Sequence, residues 1–162
     1  MRNIKLLLVT FFLTSILAGC SDITNALSGI DDQAQKAANA LTPEAKKAKS
    51  IQLEYKGEGY SIDELFTTIL RDTQWEYEKN NHLEFLTVKG SWKEGLFEEN
   101  NFSGDMKEDL KIDGKITINL EIENGQLITN KTYVQMTLNG KKIIDENGDQ
   151  ALNKLHEAYL MR

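Results

Sequence analysis

From Tyr60 onward, apolar side chains return at helical intervals. Ile62, Leu65, Phe66, Ile69 and Leu70 stand three and four residues apart, as on a helix with one buried face. Just ahead of them, Ser61 and Glu64 have the separation of a capping box, and Tyr60 is placed to staple onto Leu65. A helix is therefore predicted from Ser61 to about Asp72. The period then shortens to two. Trp75 to Lys79 reads as a strand, Asn80-Asn81 as a tight turn, and Leu83 to Trp92 as the returning strand. A two-residue turn sets Trp75 opposite Leu86, whereas a three-residue turn sets Trp75 and Tyr77 beside Phe85 and Thr87; the pattern leaves both registers open.

The stretch KEGLFEENNFSGDMKEDLKIDGK, residues 93–115, interrupts this regularity. Its Leu96, Phe97 and Phe102 are candidates for a short strand or an edge in an otherwise solvated acidic loop. The clearest alternation follows, with Ile116, Ile118, Leu120 and Ile122 separated by Thr117, Asn119 and Glu121, giving one dry face and one wet face. Asn124-Gly125 has the residues of a type I′ hairpin. The next strand is predicted from about Thr129 to Leu138, with Val134, Met136 and Leu138 inward and a bulge explaining the phase shift from Leu127. Asn139-Gly140 forms another turn. A closing helix from Gly148 to Leu160 aligns Ala151, Leu152, Leu155 and Tyr159. Hairpins without long crossovers imply an α+β fold: an antiparallel sheet of about four strands with two helices packed on one face, a two-layer sandwich.

The first twenty residues have a different character. Arg2 and Lys5 precede a run without charge from Leu6 to Ser21, whose apolar part, LLLVTFFLTSIL, falls short of the roughly 20 residues that span a bilayer core. It has the dimensions of a signal-peptide core. It ends at Leu17-Ala18-Gly19-Cys20, which holds the only cysteine of the chain. These four residues resemble the lipobox of bacterial lipoproteins. The resemblance implies cleavage between Gly19 and Cys20 and a diacylglycerol thioether on Cys20, with acylation of the new amine. Several acyl chains on one residue give stable anchoring, where a single chain is marginal. It also implies dealings with the lipoprotein processing and sorting machinery. Ser21 after the cysteine is typical of export to the outer membrane, whereas an aspartate in that place favours the inner membrane; Asp22 stands one place later. The expectation is a lipid-anchored protein of the outer membrane facing the periplasm, with the inner membrane or the cell surface as alternatives.

Three segments follow from this: a signal peptide over 1–19, a lipidated N-terminus and flexible tether over 20–50, and a globular domain over 51–162. Residues 21–50 have no aromatic side chain and are rich in Ala, Lys, Asp, Asn and Gln, a composition that buries little. Within them Thr42-Pro43 reads as a cap followed by proline at the first helical position, opening a short turn through Lys49. The order helix, Trp75, Val88, Gly90 and closing helix is similar to that of small secreted or lipidated bacterial domains in which a helix leads into a Trp-containing strand ending Val-x-Gly. That likeness bears on the fold alone.

Charge narrows the partners. The net charge of −6 becomes −8 once Arg2 and Lys5 leave with the signal, a poor match for nucleic acid or anionic lipid heads. The membrane partner is thus reached through the covalent anchor. A single cysteine allows no internal disulfide, and lipidation removes it as a metal ligand or nucleophile.

Candidate chemistry is sparse. Asp145, Asn147 and Asp149 alternate as in a calcium loop, but Gln150 and His156 replace the glycine and glutamate that loop needs, and a helix start capped by Asn147 and Gln150 accounts for them. His82 and His156 are the only histidines, and the pattern places each at the surface, one in a hairpin and one on the wet side of a helix. Ser61 and Ser91 have no base that sequence can place beside them. Tyr77, Trp92, Phe97 and Phe102 are groove candidates, though core aromatics are commoner. No metal site, cofactor or catalytic set is expected. The function expected is a non-enzymatic binding or interaction domain on an envelope lipoprotein, with an envelope protein as one possible partner. The alternative is a surface-held inhibitor or immunity factor using residues 93–115 against a basic partner.

Overall fold

Thr42 caps a short helix in the computed structural model, which describes residues 33–162. Its hydroxyl accepts a hydrogen bond from the Ala45 amide at 3.3 Å, and Pro43 takes the first helical position of α1, Pro43–Lys49. Ala45 and Ala48, with Ala40 before them, are buried in the hydrophobic core. Packing therefore begins inside the stretch whose composition reads as a tether. Residues 36–162 form one compact unit, and the helical residues 33–35 belong to a separate one. The segment 1–19, Cys20, Ser21 and Asp22 lie outside the described residues.

A small hairpin comes next, β1 (Gln52–Tyr55) and β2 (Glu58–Ser61), which the periodicity does not predict. Lys56 and Gly57 both have positive φ, 52° and 84°, the backbone of a type I′ turn. Helix α2, Ile62–Ile69, starts where expected, with the Ser61 hydroxyl accepting from the Glu64 amide at 3.1 Å. Only half of the capping box is used, because the Glu64 carboxylate accepts instead from the Tyr159 hydroxyl at 2.7 Å. The helix stops at Ile69 rather than near Asp72, since Leu70 is already extended and Asp72 sits at φ 53° in a bulge of the next strand.

That strand, β3 (Arg71–Asn80), pairs with β4 (Leu83–Ser91), and Trp75 faces Val88 while Tyr77 faces Leu86. Neither predicted register is correct. The turn is Asn81-His82, one residue later than expected, and Asn81 takes the left-handed conformation at φ 56°. Beyond them lie β5 (Lys115–Glu123), β6 (Gln126–Leu127), β7 (Tyr133–Leu138) and β8 (Lys141–Asn147). The order is β3-β4-β5-β7-β8, antiparallel throughout, with β6 pairing the far end of β5. Among the described residues, the α+β class with antiparallel sheets holds, but this sheet has six strands and the hairpin forms a second, two-stranded one. The predicted four strands were too few. The phase shift after Leu127 is a one-turn 3₁₀ helix at Thr129–Lys131 rather than a bulge, so the predicted long strand from Thr129 is really β7 alone.

Residues 93–115 hold a helix instead of a strand. Helix α3, Gly104–Asp113, is capped by the Ser103 hydroxyl and buries Leu110, while Leu96 and Phe97 are buried in the connection before it. Gly114 ends it in a tight place, where a Cβ would lie 2.5 Å from the Leu110 carbonyl oxygen and 2.9 Å from Trp92 Cβ. The closing helix α4 has the predicted bounds, Gly148–Leu160. One sheet face supplies Leu86, Val88, Ile116, Ile118, Leu120, Ile122, Val134 and Met136 to the core that α2 and α4 complete. Alternation turns Glu76, Thr87, Lys89, Asn119 and Gln135 to the other face, where Thr87 donates to Asn119 at 2.9 Å across neighbouring strands.

Candidate functional site

The buried face of α4 carries one polar ring. Leu152, Leu155, His156 and Tyr159 fall at offsets of three and four, so helix geometry turns His156 inward with its apolar neighbours. It is 4 % exposed, against the expectation of a surface histidine. The surface expectation fails because His156 shares the stripe begun by Leu152, a signal present in the spacing.

The small hairpin closes over this ring. Tyr60, on β2, brings its hydroxyl 2.5 Å from His156 Nδ1, and Tyr55, on β1, stacks on the imidazole with centroids 4.7 Å apart and planes 14° from parallel. Tyr159 lies 4.0 Å from Tyr60, centroid to centroid, and the Arg162 guanidinium carbon lies 3.8 Å from the Tyr159 centroid. Burial pushes the Tyr60 phenol up to about 12 and lowers His156 to about 4. Both groups are therefore neutral near pH 7. Among the described residues the Tyr60 hydroxyl has no other partner, so satisfying its buried proton requires it to donate to Nδ1. That assignment puts the imidazole proton on Nε2. The network ends outside at Glu157, which accepts from the Tyr55 hydroxyl at 2.8 Å and from Lys56 at 2.5 Å. Those two donors, Lys56 first, hold the Glu157 carboxyl below its ordinary range.

His156 is also the floor of a groove of about 470 Å³. One wall is β1, through Gln52, Leu53 and Glu54; the other is the β5–β6 turn and β6, through Gly125, Gln126 and Leu127. Ile51 and Leu152 add apolar surface. A second depression of about 280 Å³ adjoins it, sharing Ile51 and Gly125 as wall and carrying Lys47, Lys79 and His82. The lining mixes apolar side chains with polar ones, Thr129 and the His156 ring among them, and such a combination suits binding. With Nδ1 occupied and Nε2 protonated, His156 is placed to donate rather than to act as a general base.

The other sequence candidates separate. His82 lies in the β3–β4 turn and lines the second depression, apart from His156. Ser61 caps α2, and Ser91 accepts from Lys115 at 3.1 Å. Asn147 occupies the cap position of α4 without a side-chain cap bond, so the predicted capping by Asn147 is not made. Tyr77, Trp92 and Phe97 belong to the core, and Phe102 packs against it. The acids of residues 93–115 are largely matched by lysines: Glu98 with Lys107, Glu99 with Lys154, and Glu94 and Glu108 with Lys111. Among the described residues, no three His, Cys, Asp or Glu side chains gather as metal ligands, and no helix is long and apolar enough to cross a membrane. Comparison with known proteins finds no matching family model, no matching curated protein and no matching solved structure.

Proposed function

We propose that this chain is a lipoprotein of the bacterial envelope, anchored through Cys20, whose globular part is a non-enzymatic binding domain with its ligand seat between β1 and β6. The outer membrane, with the domain facing the periplasm, is the location in keeping with Ser21. The reading rests on one observation above the others: a groove of ligand size lined by a neutral histidine that offers a proton. The lipobox residues Leu17-Ala18-Gly19-Cys20 support the anchor. The matching of acids to lysines over residues 93–115 leaves less free charge for the inhibitor reading.

Two measurements test it. Mass spectrometry of native material is expected to find acyl chains on an N-terminal Cys20, and a bare thiol there would remove the anchor. Envelope components captured by the solubilised protein are expected to be lost on Leu127→Arg, which fills the groove from its rim. Retention equal to that of Leu41→Arg, at a side chain 74 % exposed elsewhere, would remove the groove.

A further inference from the structure

The main chain on the two sides of the groove has unmet hydrogen-bonding groups, and their positions follow from the hairpin registers. Tyr55 and Glu58 flank the two-residue turn of the first hairpin, and Ile62 donates to the Ile51 carbonyl at 3.0 Å. In an antiparallel ladder, hydrogen-bonded pairs alternate with non-bonded ones. Bonded pairs are therefore Tyr55 with Glu58, Leu53 with Tyr60 and Ile51 with Ile62. Gln52 and Glu54 lie in the non-bonded pairs, so their N–H and C=O groups point away from β2. Among the described residues no strand pairs with that side of β1.

The second hairpin repeats the arrangement. Glu123 and Gln126 flank the Asn124-Gly125 turn, and Ile128 donates to the Glu121 carbonyl at 2.9 Å. Leu127 stands between these bonded pairs, so its N–H and C=O point away from β5 and no strand meets them among the described residues. Gln52, Glu54 and Leu127 all line the same groove. Donors and acceptors at alternate residues along facing strand edges match an extended polypeptide, which carries both groups on both sides. A sugar chain or small molecule has no such repeat.

The side chains narrow the sequence. Leu53, Leu127 and Leu152 make an apolar seat for an inward-pointing residue, and His156 gives it one donor. At the far end Lys47 has no acid within ion-pair distance among the described residues, and Lys79 reaches Glu84 only at 3.7 Å. That end suits a carboxylate. We propose that an extended polypeptide segment of another protein adds as a strand between β1 and β6, bonding to Gln52, Glu54 and Leu127, with an acidic residue or C-terminus toward Lys47 and Lys79. About five residues, roughly 17 Å, cover this span. The proposal rests on the binding reading above and names its ligand class.

The probe is a displayed library of short random peptides, selected on the full chain in detergent. Enriched peptides are expected to alternate apolar with polar residues and to carry an acid at one end. Glu54→Pro removes an outward N–H and leaves the β1–β2 bonds in place, as proline is tolerated on an edge whose N–H faces solvent. It is expected to weaken a selected peptide about tenfold, while Glu54→Gln, which keeps the amide, stays within about threefold. N-methylation of the peptide at alternate residues gives the same test from the ligand side and does not depend on the variant folding. Methylation in the phase that faces β1 should abolish binding, since Gln52 and Glu54 both bond there, and methylation in the phase that faces β6 should weaken it, since Leu127 alone bonds on that side. Equal binding by Glu54→Pro, or undiminished binding after methylation in either phase, overturns the proposal. So does a concentration-dependent dimer that Glu54→Pro dissolves, which would make a second copy the occupant, or binding of a chitin tetrasaccharide without any peptide. If Leu127→Arg still abolishes envelope capture while no peptide binds, the groove stands and the peptide falls; if capture also survives, both fall.

Discussion

His156 couples the interior to pH. Its folded value of about 4 lies below the ordinary 6.5 because burial penalises the imidazolium. The unfolded chain thus takes up a proton that the folded one refuses, and stability rises with pH across this window. The contribution is complete above pH 6.5 and is lost as pH falls toward 4, amounting to about 3 kcal/mol. Glu98, Asp145 and Glu157 are each held low by lysine partners, so the bulk of their losses falls below about 4.5. Urea unfolding at pH 6.5 and 5 should therefore isolate the histidine. In His156→Phe the dependence between these pH values is expected to vanish, with a drop of about 1–3 kcal/mol at pH 7 from the stranded Tyr60 hydroxyl. Gly114 makes a steric counterpart. With a Cβ 2.5 Å from the Leu110 carbonyl oxygen, Gly114→Ala is expected to cost about 1–3 kcal/mol by thermal unfolding, since backbone at that contact cannot rotate aside.

Among elements, the caps separate helices that look alike in sequence. The Ser103 hydroxyl accepts from the Met106 amide at 3.3 Å, whereas Asn147 makes no such bond. Ser103→Ala should lower stability by about 1 kcal/mol and Asn147→Ala should change it little, as equilibrium denaturation would measure. The same contrast explains what the pattern could foretell. Strand β5 and helix α4 each bury four or more side chains at a fixed period, so their faces and, for α4, both ends are readable. Helix α3 buries only Leu110 and has almost no amphipathic stripe; its start is written in Ser103 and its stop in Gly114, local signals that the acidic side chains obscure. The hairpin β1–β2 is missed because its strands have four residues each and alternate weakly, and Lys56-Gly57 is a less familiar pair for its turn. Since that hairpin is one wall of the groove, the site was hidden with it.

Across the whole molecule, the core reaches further toward the N-terminus than aromatic content indicates. Ala40, Ala45 and Ala48 are all buried in that core, and small side chains let a stretch without aromatics pack closely. Ala45→Asp should destabilise by about 3 kcal/mol or more, while Glu44→Asp on the exposed side of the same turn should have little effect, both read from the unfolding midpoint.

The long rims of the main sheet are also unlike the short hairpin. Strand β3 carries Arg71, Asp72, Glu76, Glu78 and Lys79 and is kinked where Asp72 turns left-handed, and β8 carries Lys141, Lys142, Asp145 and Glu146. Such charges and kinks repel stray strands. With the rims of the main sheet guarded in this way, a guest strand seated between β1 and β6 would close a ladder there without extending the large sheet. Copies crowded side by side would then find no bare rim of the large sheet along which a fibre could spread.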